Sequence, residues 1–84
     1  MKYEIHILRR AQKELERVPH DHVPRIVNAV RALSSSPRLV GCTKLTGREG
    51  WRIRVGNYRV VYEIDDQEGR VIVLHIGHRR DVYR

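Results

Sequence analysis

Trp51-Arg52-Ile53-Arg54-Val55-Gly56-Asn57-Tyr58-Arg59-Val60-Val61-Tyr62 is the stretch from which the fold can be read. Two alternating runs flank Gly56-Asn57, and alternation marks strands with one face buried and one exposed. A two-residue Gly-Asn connection is hairpin chemistry, because both residues tolerate the positive φ that tight hairpin turns use. Counting outward from that turn sets Val55 opposite Tyr58, Arg54 opposite Arg59, Ile53 opposite Val60, Arg52 opposite Val61 and Trp51 opposite Tyr62. Trp51, Ile53, Val55, Tyr58, Val60 and Tyr62 then share one face, and Arg52, Arg54 and Arg59 the other. Directly opposed arginines cost roughly 0.2–1 kcal/mol in a cross-strand pair. The fold gains nothing from that; a polyanion laid across the face would.

The rest of the composition points the same way. Basic residues outnumber acidic ones by 17 to 10, for a formal charge of +7, and the only lysines are Lys2, Lys13 and Lys44. Arginine's planar fork suits bidentate phosphate contact, whereas lysine acts as a point charge. A phosphate-bearing partner is therefore indicated, nucleic acid ahead of membrane. The single cysteine, Cys42, excludes an internal disulfide and any multi-cysteine zinc site, which fits a reducing cytoplasm. No apolar run approaches the roughly 20 residues of a membrane span, and the N-terminus lacks a signal-peptide core. With no repeat or linker, residues 1–84 are expected to form one domain.

Upstream, Lys2 to Leu8 alternates, with Tyr3, Ile5 and Ile7 on one face, and reads as a first strand. From Arg9 to Val18 the period changes: Leu8, Ala11, Leu15 and Val18 recur at helical spacing until Pro19 ends the helix. Asp21 is placed to cap a second helix with Pro24 in its first turn. Val23, Ile26, Val27, Val30 and Leu33 then form its apolar stripe. Ser34-Ser35-Ser36-Pro37 is a turn. The segment Arg38 to Gly50 is loop-rich, with a short strand near Lys44 and Leu45; Lys44 and Arg48 are placed to extend the positive surface.

Downstream, the strand begun at Tyr58 runs to Ile64, and Asp65 to Gly69 is a polar turn. Val71 to Ile76 is a nearly unbroken apolar strand. With Ile64 opposite Arg70, Ile72, Leu74 and Ile76 join the core face, while Val71, Val73 and His75 share the arginine face, His75 opposite Arg59. The tail adds His78, Arg79, Arg80, Tyr83 and Arg84. The order β-α-α-β-β-β describes a small α+β fold: an antiparallel sheet with a helical hairpin on one face.

Metal hydrolysis finds no carboxylate–histidine cluster at ligand spacing, no phosphate-cradling glycine loop is present, and no cofactor is expected. Neither the serines nor Cys42 has a base and an orienting group nearby in sequence. A basic face with a tyrosine can instead bind a phosphodiester and stabilise charge developing on phosphorus. RNA supplies its own nucleophile in the 2′-hydroxyl, and Tyr83 can stack on a base or move a proton. RNA binding follows from the residues; cleavage is the further hypothesis.

Three segments together resemble the RelE/ParE superfamily of bacterial toxin–antitoxin toxins, in particular its RelE branch. They are L-R-R-A-Q-K-E-L from Leu8, W-R-I-R-V-G-N-Y-R-V-V-Y-E-I from Trp51, and V-L-H-I-G-H-R-R-D-V-Y from Val73. The resemblance implies an mRNA interferase that enters the ribosomal A site and cuts the message without metal, the 2′-hydroxyl attacking the adjacent phosphate to leave a 2′,3′-cyclic phosphate. It places RNA-binding positions at Arg52 and Arg54, phosphate contacts at Arg59 and Arg79, with Arg80 a rival for Arg79, and base stacking or proton transfer at Tyr83. Arg52 and Arg54 stand where the best-known members carry lysines. Arginine stays protonated, so the base is left to His75, His78, or a ribosomal or solvent group. The sequence ends one residue after Tyr83, so a C-terminal helix of the kind that antitoxins displace in some relatives is not expected. The resemblance also implies a cognate RelB-like antitoxin, with operator DNA contacted only through the toxin–antitoxin complex. A ParE-like inhibitor of DNA gyrase and a non-catalytic RNA- or antitoxin-binding module are the alternatives.

Overall fold

A computed structural model describes residues 2–38, 42–45 and 50–78 of the chain. Arg48, Arg79, Arg80 and Tyr83 lie outside the described residues. The element order is β1 (Glu4–Ile7), α1 (Arg9–Glu16), α2 (Val23–Ala32), β2 (Thr43–Lys44), β3 (Trp51–Val55), β4 (Tyr58–Asp65) and β5 (Arg70–His78). The strands form one sheet in the order β1-β5-β4-β3-β2. All neighbours pair antiparallel except β1, which lies parallel to β5. The α1–α2 pair provides the long connection between the two edge strands that such a crossover requires.

The helices bury their apolar stripes on one face of the sheet. Ala11 and Val18 from α1 and its end, and Ile26, Val30 and Leu33 from α2 and its end, pack with Ile53, Val60, Tyr62, Val71, Val73 and Ile76. Each large aliphatic side chain fully withdrawn from water there contributes about 1.5–3 kcal/mol. Tyr62 is fully buried, and its hydroxyl donates to the Pro37 carbonyl at 2.7 Å. That bond satisfies the polar end of the ring, and burial raises its pKa.

Helix α2 corrects one expectation. Its N-cap is His22, without a side-chain cap, and Asp21 lies 3.9 Å from the His22 Nε2 instead. Capping from Asp21 would put Pro24 at the third helical position, where it has no N–H to offer.

The β4–β5 register is a larger correction. Asp65, not Ile64, pairs with Arg70, so Ile64 pairs with Val71, Glu63 with Ile72 and Tyr62 with Val73. The loop is one residue tighter than the polar run suggests. Gly69 turns the chain at φ +65°, and the Asp65 carboxylate accepts from the Glu68 N–H at 3.1 Å. A one-residue slip exchanges the two faces of a strand. Val71 and Val73 are therefore fully buried in the core, and Ile72 belongs to the opposite face. Leu74 is then the extra residue of a β-bulge, beyond which Val61 pairs with His75 and Val60 with Ile76. The bulge returns Ile76 to the core and moves His75 from its expected place opposite Arg59.

At the end of the sheet away from Gly56, Asp66 joins three distant segments. It accepts from the Tyr3 hydroxyl at 2.6 Å and from both terminal nitrogens of Arg38, at 2.8 and 3.3 Å. The Arg38 guanidinium also lies 5.6 Å from the centroid of the Trp51 ring. The Arg38 contacts, then that of Tyr3, lower the Asp66 pKa from 3.8 to about 2. A carboxyl held below its unfolded value adds stability above the unfolded pKa and loses it as pH falls through the folded one. Asp66→Asn should therefore lower the urea midpoint at pH 5 and above. The gap from the native chain should narrow from about pH 4 down to pH 2. A gap independent of pH over that window would show that the carboxylate charge does not act through this network.

Candidate nucleic-acid interface

The hairpin at the centre of the chain has the register that its alternation predicts, from Val55–Tyr58 to Trp51–Tyr62. Gly56 takes φ +61° and Asn57 does not share the positive value, so glycine occupies the first central position, as a type II′ connection requires. Ile53 and Val60 are buried beneath the helices. By strand alternation Arg52, Arg54 and Arg59 project from the other face.

Arg54 is paired directly with Arg59, and with Thr43, Arg52 and Ile53 they line a groove of about 280 Å³. Arg54 is exposed, whereas Arg52 and Arg59 are half-buried. Two rows of residues cross the sheet here. One runs Thr43, Arg52, Val61, His75 over β2 to β5; the other runs Arg54, Arg59, Gly77 over β3 to β5. Gly77 beside Arg59 leaves that position without a side chain on β5. Val61 is only 3 % exposed yet stands outside the main core cluster, so this face has an apolar floor between Arg52 and His75. A low-dielectric floor strengthens the attraction of flanking cations for an anion.

The two histidines separate. His75 is in the Val61 row, and its Nδ1 lies 3.7 Å from Oε1 of Glu14 on α1. The same oxygen accepts the Ile76 N–H at 3.1 Å. His78 pairs with Tyr58, whose ring it meets edge-on at 5.8 Å, and His22 approaches that ring at 5.4 Å. His78 lines a different concavity, of about 440 Å³, with Glu14, Arg17, Val18 and Tyr58. Lys44 is exposed and paired with Trp51, one position out of phase with Arg52. It borders a third concavity, of about 620 Å³, with Glu63, Asp65 and Asp66.

Thr43 in the groove, Val61 and Gly77 in the rows that cross it, and Glu14 against His75 are positions that alternation alone did not single out. Val61 carried a visible signal, since it is apolar at an arginine-face position of the run Val60-Val61-Tyr62. Glu14 carried none, because it reads as an ordinary polar residue beside the α1 stripe. Among the described residues no group of three histidine, cysteine or acidic side chains is placed to hold a metal ion, and no helix is long and apolar enough to cross a membrane.

Comparison with known proteins adds an independent view. The family described as the ParE toxin of the type II toxin–antitoxin system parDE matches residues 5–83. The toxin RelG of Mycobacterium tuberculosis is 34 % identical over 90 residues, covering 100 % of this chain and 99 % of that protein. In the toxin–antitoxin complex RelBE2 of the same organism, one chain superposes with a TM-score of 0.83 at 28 % identity, covering 94 % of this chain and 100 % of that one. The isolated E. coli RelE toxin superposes with a TM-score of 0.80 at 27 % identity, covering 96 % and 90 %. A match over nearly the whole length, on a scaffold whose helices and sheet also agree, makes this chain a member of the RelE/ParE superfamily of type II toxin–antitoxin toxins.

Proposed function

We propose that this toxin is a ribosome-dependent endoribonuclease that cleaves mRNA in the A site without a metal. The convergence of Arg52, Arg54 and Arg59 on one groove carries the reading. Three guanidiniums on one groove, with the apolar Val61 beside Arg52, suit a phosphodiester better than a protein surface, where opposed arginines would only repel. Arg59 is placed to meet the phosphate and to stabilise charge on the pentacoordinate phosphorus, while Arg52 and Arg54 hold the RNA backbone. Arg79 and Tyr83 are assigned by resemblance to the second phosphate contact and to stacking or proton transfer; Arg80 and Arg48 are secondary RNA contacts, whereas Lys44, paired with Trp51 and beside Glu63, Asp65 and Asp66, falls outside the arginine groove. Attack by the 2′-hydroxyl leaves a 2′,3′-cyclic phosphate and a free 5′-hydroxyl.

A cognate RelB-like antitoxin is the expected partner, since structural relatives are complexes of RelE with RelB. Operator DNA is reached through that complex. The toxin acts in the cytoplasm, where translating ribosomes are.

The test is induced expression of the chain without antitoxin, with mapping of mRNA 5′ ends. Cuts in frame within translated codons are expected. The ParE description of the matched family favours a second reading, inhibition of DNA gyrase. Intact messages with accumulating gyrase–DNA breaks would establish that reading instead, and harmless expression would leave a non-catalytic binding module.

A further inference from the structure

We propose that Glu14 and His75 form a base-orienting pair on β5, in the row that runs from Arg52 through Val61. Glu14 keeps the proton on His75 Nδ1, so that Nε2 is free to take the proton from the attacking 2′-hydroxyl. The inference rests on the RNA-cleaving reading and fills the role that arginines cannot, since a guanidinium does not give up its proton.

The position follows from the sheet. β1 pairs no further along β5 than Ile7 with Val73, so none of the described strands covers the β5 edge beyond it. Helix α1 starts there, and the Glu14 carboxylate takes the place of the missing strand by accepting the Ile76 N–H. That bond fixes the carboxylate, and the same oxygen faces His75 Nδ1. At 3.7 Å this is a charge contact that a small rotation of the ring closes to a hydrogen bond when the site is occupied; a carboxylate so bonded to one ring nitrogen selects the tautomer and leaves the other nitrogen as the acceptor. The Leu74 bulge puts His75 in line with Val61 and Arg52, two strand spacings or about 10 Å from Arg52. An arginine side chain and an imidazole can reach one nucleotide across that gap. The His75 side chain is 23 % exposed, open to a ligand yet partly shielded from water. The His78 ring, by contrast, is engaged edge-on with Tyr58 on the helical side.

The proton balance closes without a metal. As the 2′-oxygen bonds to phosphorus, its proton passes to His75 Nε2 and the bond from phosphorus to the 5′-oxygen breaks. The leaving 5′-oxygen takes a proton from water, and the imidazolium returns its proton to the hydroxide so formed. His75 is thus the catalytic residue, and Glu14 a positioning residue acting through it.

Single-turnover cleavage of ribosome-bound message by the purified toxin tests the pair. His75→Ala should slow cleavage by about 10²–10⁴-fold, with part of the rate restored by added imidazole. Glu14→Gln, whose amide oxygen can still accept the Ile76 N–H, should slow it by roughly tenfold or more. The double variant should be no slower than His75→Ala alone, because an orienting group has nothing left to orient. A folded His75→Ala toxin cutting at the native rate overturns the proposal. So does a Glu14→Gln penalty that persists undiminished in the His75→Ala background, which marks a purely structural glutamate. If the native toxin leaves ribosome-bound message intact, the RNA-cleaving reading falls and the pair falls with it.

Discussion

Arg59→Ala is expected to leave a folded toxin that no longer arrests growth when expressed without antitoxin. Folding should survive because Arg59 is outside the core cluster, while its strand neighbours Val60 and Tyr58 keep their packing. The substitution also relieves the cross-strand repulsion from Arg54, which offsets part of whatever contact the side chain makes. The chemistry should not survive. Arg59 is half-buried, flanked by Arg54 on one side and by Gly77 on the other, where a phosphate can approach. Removing one preorganised donor to a developing oxyanion costs about 10²–10³-fold in rate, or roughly 2.7–4 kcal/mol. Arg59→Lys should recover only part of that, because lysine keeps the charge and loses the fork. Growth after induction gives the functional result, and far-UV circular dichroism with a urea midpoint gives the folding control. Full toxicity in a folded Arg59→Ala variant would remove the main support for RNA cleavage.

Why this hairpin was legible in advance, and the strand beside it less so, has a physical explanation. In Trp51 to Tyr62 polarity alternates on both strands except at Val61, and Gly56-Asn57 fixes the loop length, so pattern and turn chemistry agree on one register. The helices were legible for the same reason, at a different period. In β5, by contrast, Val71, Ile72, Val73 and Leu74 are all apolar, so either face could have been the buried one. The decision fell to the turn, where Asp65 proved to be the last paired residue, and to a bulge that no local pattern announced. The groove inherits this division. Its arginines could be grouped from sequence, whereas the placement of His75 depended on the bulge, and that of Glu14 on where β1 stops. Such contacts join residues 61 and 62 apart in sequence, beyond the reach of any periodicity.

The β5 register makes the second large prediction, because it reverses which residues tolerate charge. Val73→Lys should leave the chain unfolded at 25 °C, whereas Ile72→Lys should fold with a change of about 1 kcal/mol or less. Val73 is fully buried beneath the helices and paired with Tyr62. An ammonium there has no carboxylate partner, and the several kcal/mol that an uncompensated buried charge costs compare with a total stability of roughly 5 kcal/mol for so short a chain. Ile72 is half-buried and paired with Glu63, and it borders the concavity that also holds Asp65 and Asp66. A lysine at that position gains an opposite charge directly across the strand pair, worth roughly 0.2–1 kcal/mol. With Ile64 opposite Arg70 the outcomes would exchange, since Ile72 would then lie under the helices and Val73 beside the arginines. Circular dichroism and urea titration of the two variants decide between the registers. The result also bears on the groove, because only the register that buries Val73 and adds a bulge at Leu74 sets His75 in line with Val61 and Arg52.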